Sequence, residues 1–233
     1  VVTLRRAWDD YPCILAENKG AIKEIVQHFV DVHHFRRIAF FSGPRDHPDA
    51  LVRLADYKEG LASRGIAYDE DYVFYGDFWR KYSREAAQYF LTNLPEMPQV
   101  VVCANDYMAL SLCNELVNLG KIVPKDIAVS GFDDIWEATI NMPPITTVTM
   151  PVEKMSELAF ATLERMMNGE DVPRVQTLRT EPVIRDSCGC EGAGKDTVIK
   201  RRVRQSQEYE KMLDLIRYNT YTFVEMSDVQ RAQ

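Results

Sequence analysis

Polar and aromatic side chains follow four predicted strands, at the points where the strands end. The segments are Gly43-Pro44-Arg45-Asp46-His47, Gly76-Asp77-Phe78-Trp79, Ala104-Asn105-Asp106 and Gly131-Phe132-Asp133-Asp134. In an open parallel sheet, ligands bind outside the carboxyl ends of the strands. Carboxylates and amides exchange hydrogen bonds with hydroxyls, arginine offers a planar fork of donors, and an aromatic face packs on the C–H side of a sugar ring. The four strand ends together predict a site for a small polar ligand.

Each of these residues also has a structural interpretation, because Asx residues often cap helices. Asn105 and Asp106 are candidates to cap one helix, and Asp133 or Asp134 the next. Enzyme interpretations find less support. A phospho-receiver domain needs its acidic pair after the first strand, and the hydrolase motifs G-x-S-x-G and H-E-x-x-H are missing, as are G-x-G-x-x-G and Walker A. We therefore expect a protein that is not an enzyme, with no catalytic residue and no cofactor.

The histidines and cysteines predict no metal site. His28, His33 and His34 lie at i, i+5 and i+6 of one predicted helix, a spacing that does not converge on an ion. Five cysteines, an odd number, fit a reducing compartment better than a disulfide framework. The only close pair is Cys188-Gly189-Cys190, and a single C-x-C is weak evidence for a metal. We expect two reduced thiols at the end of a domain.

The composition excludes some partners. The chain has 233 residues, 46% of them apolar, which suits one or two domains. It lacks an eighteen-residue apolar run, and its first residues lack the pattern of a signal peptide, so we expect a cytoplasmic protein without membrane contact. A net charge of −7 works against binding to phosphate backbones, so this chain by itself should not contact DNA.

Short apolar runs alternate with amphipathic segments along the chain. This rhythm is typical of βαβ units and a parallel sheet, so the fold class is α/β. The predicted strands are Arg37–Ser42, Tyr72–Tyr75, Gln99–Cys103, Ile127–Ser130 and a less regular Ile145–Thr149. Apolar residues recur at helical spacing from Ile22 to Val30, Leu51 to Ala62, Ala86 to Leu94 (after Ser83, a candidate N-cap), Ala109 to Val117 (ended by Gly120) and Val152 to Met166 (ended near Gly169).

The composition changes after Cys190. Residues 191–194 are a flexible break, and the sequence from about Thr197 is polar with a helical pattern. Apolar residues there step by four and three over barely two heptads, which fits either a coiled coil or one helix folded back on the domain. We interpret the basic run Lys200–Arg204 as a solvated helix face. Residues 191–233 are predicted to be a linker and a signalling helix.

Six segments, in order, resemble the effector-binding domain of the LacI/GalR family. They are residues 36–44 (RRIAFFSGP), Arg53 with Tyr57, 76–78 (GDF), 103–110 (CANDYMAL), 123–134 (VPKDIAVSGFDD) and 143–148 (PPITTV). The resemblance covers most of the chain up to Cys190. It implies a type I periplasmic-binding-protein-like fold, in which two lobes close on a sugar, a nucleoside or a related effector. It also implies side-by-side homodimers.

Carried over by motif, the resemblance assigns ligand binding to Arg53, Phe78, Asn105 and Asp133, and places His47 and Asp49 in loop positions beside the ligand. It assigns residues 37–149 and 180–190 to the C-terminal lobe. Residues 1–36 and 150–179 are then a remnant of the N-terminal lobe. The helix-turn-helix and the first strand–helix units of that lobe are absent, so we expect a chain truncated on its N-terminal side.

The resemblance implies a ligand sensor for a transcriptional regulator, with binding shifting the balance between open and closed lobes. An alternative output comes from the ending Ile184-Arg185-Asp186-Ser187-Cys188-Gly189-Cys190. It looks like the subset of these sensors fused to a C-terminal module such as a GGDEF diguanylate cyclase or a kinase-like domain. A third possibility, of another class, is a transport-type sugar-binding protein, against which the free cysteines argue.

Overall fold

The computed structural model describes residues 1–190, in which short strands alternate with helices. The strands form two parallel sheets and a small antiparallel pair. The elements are β1 (Thr3–Leu4), β2 (Cys13–Glu17), α1 (Ala21–His33), β3 (Ile38–Ser42), α2 (Pro48–Ala62), β4 (Val73–Tyr75), α3 (Ser83–Thr92), β5 (Val100–Cys103), α4 (Asp106–Asn118), β6 (Ala128–Ser130), α5 (Trp136–Ile140), β7 (Thr147–Val148), α6 (Val152–Met167), β8 (Val175–Arg179) and β9 (Pro182–Val183).

A four-stranded parallel sheet forms the centre of the larger core. Its order is β4-β3-β5-β6, with Phe40 opposite both Val73 and Val102. β3, β5 and β6 are buried along their whole length, because helices cover both faces of the sheet and leave no polar side. The four predicted strands of this sheet are confirmed to within one residue at each end. The fifth predicted strand, Ile145–Thr149, is shorter than expected and pairs antiparallel with β9.

A second parallel sheet has the order β1-β2-β8, with α6 packed against β1 and β2. The sequence analysis did not predict β2 or β8 as strands. β8 alternates between exposed and half-buried residues, so its sequence lacks the continuous apolar run that identified the larger sheet. Within residues 1–190, none of the helices combines the length and the apolarity that a membrane crossing needs.

Helix α1 packs with the four-stranded sheet, which differs from its assignment to the N-terminal lobe. Its buried residues Ile22, Ile25 and Phe29 share one core with β3 and β5, and the helix lies along α2. The packing places the change from one sheet to the other between β2 and α1, and the lobe limit at residue 36 stays a prediction. Gly20, with φ of +92°, makes the turn there, and its amide donates to Asp56 Oδ2 at 2.5 Å. The other lobe limits stay a prediction.

The chain passes between the two parallel sheets three times, after β2, after β7 and after β8, and these passages are hydrogen-bonded to one another. Thr180 Oγ1 donates to the Glu17 carbonyl oxygen at 2.6 Å. The Thr149 amide donates to the Glu181 carbonyl oxygen at 2.9 Å, and the Glu181 amide donates back to Thr149 Oγ1 at 3.0 Å. The three passages thus form one narrow strip of backbone.

The predicted helix ends are mostly confirmed. α4 ends before Gly120 and α6 before Gly169, both with positive φ. The N-cap prediction for Ser83 is wrong, because Tyr82 occupies the cap and Ser83 is the first helical residue. The Ser83 hydroxyl is buried there and lacks a hydrogen-bond partner among the described residues.

Candidate functional site

Arg53 lies at the centre of the carboxyl edge of the four-stranded sheet. It projects from α2 and is 2% exposed, with Nη1 donating to the Ala104 carbonyl oxygen at 2.5 Å. Its guanidinium carbon lies 3.8 Å from the centre of the Phe132 ring, and Nη2 lies 3.6 Å from Asp133 Oδ1. Its Nε is buried without a hydrogen-bond partner among residues 1–190. Arg53 is therefore anchored on one side and has unused donor capacity on the other.

Asp133 faces this guanidinium from the loop after β6. A separation of 3.6 Å is an ion pair but is too long for a hydrogen bond, so the carboxylate keeps acceptor capacity. Burial raises the pKa of Asp133, and the charges of Arg53 and Arg5 oppose that rise. Burial also lowers the pKa of Arg53, while Asp133 and Asp49 oppose this change. Both charges are partly desolvated, so each depends on the other.

Phe78 adds an apolar face to the same place. The Arg53 guanidinium carbon lies 5.7 Å from the centre of its ring, and the His47 ring meets it edge to face at 4.9 Å. The ring lies directly over Gly43, where a Cβ would overlap it. Phe78 has φ of +66°, a left-handed conformation that a phenylalanine rarely adopts. Glycine at position 43 and this backbone turn together put the ring beside Arg53.

Asn105 caps α4, as its structural interpretation predicted. Its Oδ1 accepts from the Met108 amide at 3.0 Å, and its Nδ2 donates to the Phe78 carbonyl oxygen at 2.9 Å. The side chain thus holds the loop that carries Phe78. One lone pair of Oδ1 is available for a further donor, so ligand contact by Asn105 stays a prediction.

His47 and Asp49 also have structural partners. The His47 imidazole caps α2 by accepting from the Asp49 amide at 3.2 Å. Asp49 Oδ1 accepts from Asn18 Nδ2 at 3.2 Å. His47 is exposed and Asp49 half-buried, at the rim of the site. Their predicted contact with a ligand is neither required nor prevented by these bonds.

Two residues of the site follow strands of the smaller sheet, and the sequence analysis missed both. Asn18 comes directly after β2, and its Oδ1 is buried without a hydrogen-bond partner among the described residues. Arg5 comes directly after β1 and lies close enough to influence the pKa values of Arg53 and Asp133. The rule that ligands bind at the carboxyl ends of strands would have found both residues, had β1 and β2 been identified.

Asp106 and Asp134 stabilise the loop that follows β6. Asp106 is fully buried and accepts from Thr147 Oγ1 at 2.6 Å and from the Ile135 amide at 2.9 Å. Asp134 forms an ion pair with Arg185 at 2.5 Å. Asp133 and Asp134 both have positive φ, so their side chains diverge, one toward Arg53 and the other toward Arg185. The acidic pair therefore divides into one site residue and one structural residue.

The structure contradicts the expectation that the histidines do not converge. Ligand atoms of His28, His33, Cys188 and Cys190 all lie within 4.8 Å of one another. α1 ends at His33, so this ring can turn back toward His28, and the segment at 186–190 brings two thiols beside them. Spacing along α1 does not reveal this cluster, because the cysteines reach the two histidines only through the fold of the chain.

A sequence model for the family described as "Periplasmic binding protein-like domain" matches residues 26–188. The chain belongs to this family. Its α/β architecture of parallel sheets flanked by helices, predicted from the strand and helix pattern, is that of the family's LacI-type members.

The known relatives are transcriptional regulators. The chain is 34% identical over 172 residues to the HTH-type transcriptional regulator CelR of Thermobifida fusca, covering 73% of this chain and 50% of that protein. A solved complex of a CelR regulator with cellobiose superposes with a TM-score of 0.69 at 31% identity, covering 80% of this chain and 58% of the other. A sugar-binding LacI-family regulator from Escherichia coli, solved with phosphate, superposes with a TM-score of 0.71 at 28% identity. The superposition covers 79% of this chain and 66% of the other. The chain spans about half the length of the curated relative.

Proposed function

We propose that this chain is the effector-sensing domain of a LacI-type transcriptional regulator and that its effector is a sugar or a nucleoside-like molecule. The observation that carries the proposal is the pair of a buried Arg53 and a half-buried Asp133, which are not hydrogen-bonded to each other. Buried polar groups without partners cost free energy, so a hydroxyl that donates to Asp133 and accepts from Arg53 Nε would be stabilising. The Phe78 ring beside them suits the C–H face of a sugar or the plane of a base.

Groups from both sheets face this position. Arg53 projects from α2, and Phe78 and Asp133 lie in loops that follow strands of the larger sheet, whereas Arg5 and Asn18 follow strands of the smaller one. A ligand that contacts both groups of residues binds best when the two sheets hold these groups close together. Binding therefore increases the population of that arrangement, and this shift is the signal. We place β1, β2, α6 and β8 in one lobe and the elements from α1 to β7 in the other. No chemical step is required, so the protein is proposed to be a sensor and not an enzyme.

Titration calorimetry on the full-length gene product tests this function, with a panel of mono- and disaccharides and nucleosides as probes. Asp133→Asn keeps the size of the side chain and removes the charge that would accept from a hydroxyl. A hydrogen bond to a charged group contributes about 1.5–3 kcal/mol, so the Kd should rise about tenfold to a hundredfold. Asp171→Asn, at an exposed acid between α6 and β8, is the matched control and should bind normally.

Asp133→Asn also removes the charge that faces the buried Arg53, so its melting temperature should fall, and binding is compared at a temperature where the variant is fully folded. A variant that binds the effector as tightly as the natural protein would contradict the assignment of Asp133. If no sugar or nucleoside in the panel binds the natural protein, the proposed effector class is wrong.

We propose DNA-bound transcription control as the output, which the regulator relatives support, together with a cytoplasmic location and a homodimer. A C-terminal diguanylate cyclase or kinase-like module is the alternative suggested by the ending at 184–190. The predicted linker and signalling helix at 191–233 lie outside the described residues. Operator binding that changes with effector supports the first output. Effector-dependent formation of cyclic dinucleotide or phosphorylated protein would support the second.

A further inference from the structure

Four side chains with nitrogen and sulfur donors meet where α1 ends. His28 and His33 come from α1, and Cys188 and Cys190 come from the last described turn, far along the sequence. Cys190 Sγ lies 3.3 Å from His33 Nε2 and 3.6 Å from His28 Nε2. All four donor atoms lie within 4.8 Å of one another. The effector site proposed above uses none of these residues.

These distances match the edges of a small coordination tetrahedron. With Zn–S bonds of about 2.3 Å and Zn–N bonds of about 2.05 Å, tetrahedral angles put sulfur and nitrogen ligands about 3.5 Å apart. The two measured sulfur–nitrogen distances, 3.3 and 3.6 Å, lie on either side of this value. Small rotations of side chains would bring the remaining donor pairs, now up to 4.8 Å apart, to the same size.

The backbone fixes both pairs in place. Ser187 Oγ donates to the Val129 carbonyl oxygen at 2.6 Å and accepts from the Thr146 amide at 2.8 Å, which anchors the turn on β6. Gly189, with φ of +100°, then reverses the chain so that the two thiols lie on one side. The Cys190 amide donates to Cys188 Sγ at 3.4 Å, which links the two cysteines within the turn. The cysteine pair is therefore held ready beside the histidines.

From this geometry we propose that His28, His33, Cys188 and Cys190 bind one Zn²⁺ ion. Two thiolates and two imidazoles in a tetrahedron are a ligand set typical of structural zinc. On binding, each thiol releases its proton to solvent, the imidazoles donate through Nε2, and no atom changes oxidation state.

The ion would attach the end of the described chain to the end of α1. Without it, the turn at 188–190 is held by Ser187, by the hydrogen bond from the Gly189 amide to the Asp186 carbonyl oxygen and by weak sulfur contacts. With it, the segment leaving the domain at Cys190 starts from a fixed point. Zinc binding also adds to the free energy of unfolding, because the unfolded chain does not present the four ligands together.

The test uses the full-length gene product, without a polyhistidine tag, and measures metal content and cobalt spectra. We expect about one equivalent of zinc per chain by mass spectrometry of the metals, with sub-micromolar affinity in competition with a chelator. After replacement by Co²⁺, the protein should show thiolate-to-cobalt charge transfer and the intense visible bands of a tetrahedral ion. Zinc X-ray absorption on the natural protein should give two sulfur and two nitrogen neighbours.

Cys190→Ser and His33→Gln should each lose the charge-transfer band or most of the bound zinc. His34→Asn and Cys113→Ala are matched controls, because neither residue belongs to the cluster, and both should keep one equivalent. Zinc at less than a tenth of an equivalent after loading would overturn the proposal. So would a weak octahedral cobalt spectrum, or a Cys188–Cys190 disulfide in protein purified without oxygen. If a ligand variant fails to fold, the absorption data on the natural protein decide.

Discussion

Asp106 should make the stability of this fold fall as pH rises, the opposite of most carboxylates. Its side chain is fully buried, and burial raises its pKa to about 8 although Thr147 and the Ile135 amide donate to it. In the unfolded chain an aspartate has a pKa of about 4. At pH values between about 4 and about 8, Asp106 is protonated in the folded protein and deprotonated in the unfolded chain. The contribution is complete below about pH 4 and is lost as pH rises through about 8.

The size of the effect follows from one proton. A difference of one bound proton changes the free energy of unfolding by about 1.4 kcal/mol per pH unit. Between about pH 5 and about pH 7, Asp106 alone should therefore remove about 3 kcal/mol of stability. This is a large share of the roughly 5–15 kcal/mol that stabilises a typical domain.

Urea unfolding at the two pH values measures this directly. Asp106→Asn keeps the shape and cannot titrate, and its amide can still donate to Thr147 and accept from Ile135. The loss of stability between the two pH values should be smaller in the variant by about 3 kcal/mol. Asp171→Asn is the control and should behave as the natural protein. If Asp106→Asn shows the same pH dependence as the natural protein, Asp106 is charged in the fold and the reasoning is refuted.

Substitutions at three further positions test the geometry around the site. Gly43→Ala should displace the Phe78 ring and weaken effector binding up to about tenfold in calorimetry, since an aromatic contact contributes about 0.5–1.5 kcal/mol; unchanged affinity would show that the ring is not used. Arg185→Met should remove the guanidinium that Asp134 contacts at 2.5 Å and cost about 3–5 kcal/mol in urea unfolding. A loss under about 1 kcal/mol would mean that water replaces the arginine. Asn105→Ala should cost about 1–2 kcal/mol as a lost cap and should also weaken binding, whereas Asn105→Asp should retain the cap.

The larger sheet was predictable because its strands are buried on both faces. Such strands are continuous apolar runs, so β3, β5 and β6 were located from the sequence pattern alone. β2 and β8 escaped because neither is covered along its whole length, and their sequences resemble loops. Because β1 and β2 were not among the predicted strands, Arg5 and Asn18, which follow them, were not identified as site residues. The polar ends of the larger sheet were found, whereas the contribution of the smaller one was not.

The roles of individual acids needed three-dimensional information. Asp133 and Asp134 are adjacent and chemically identical, and only their backbone angles direct one to Arg53 and the other to Arg185. The group of His28, His33, Cys188 and Cys190 joins opposite ends of the chain, so local spacing contains no sign of it. Sequence patterns indicate which edge of a sheet is polar, but long-range packing decides which side chains meet.

The three hydrogen-bonded passages between the sheets limit how the two halves of the domain can move. A single linker would permit rotation in every direction. Three strands of backbone joined by Thr180, Thr149 and Glu181 resist twisting and sliding and leave bending across the strip as the soft motion. In the proposed sensor, opening and closing would follow one path with few degrees of freedom, so a ligand bound between the sheets would set the position of distant surfaces. Replacing Thr180 would loosen this constraint at a residue outside the proposed site.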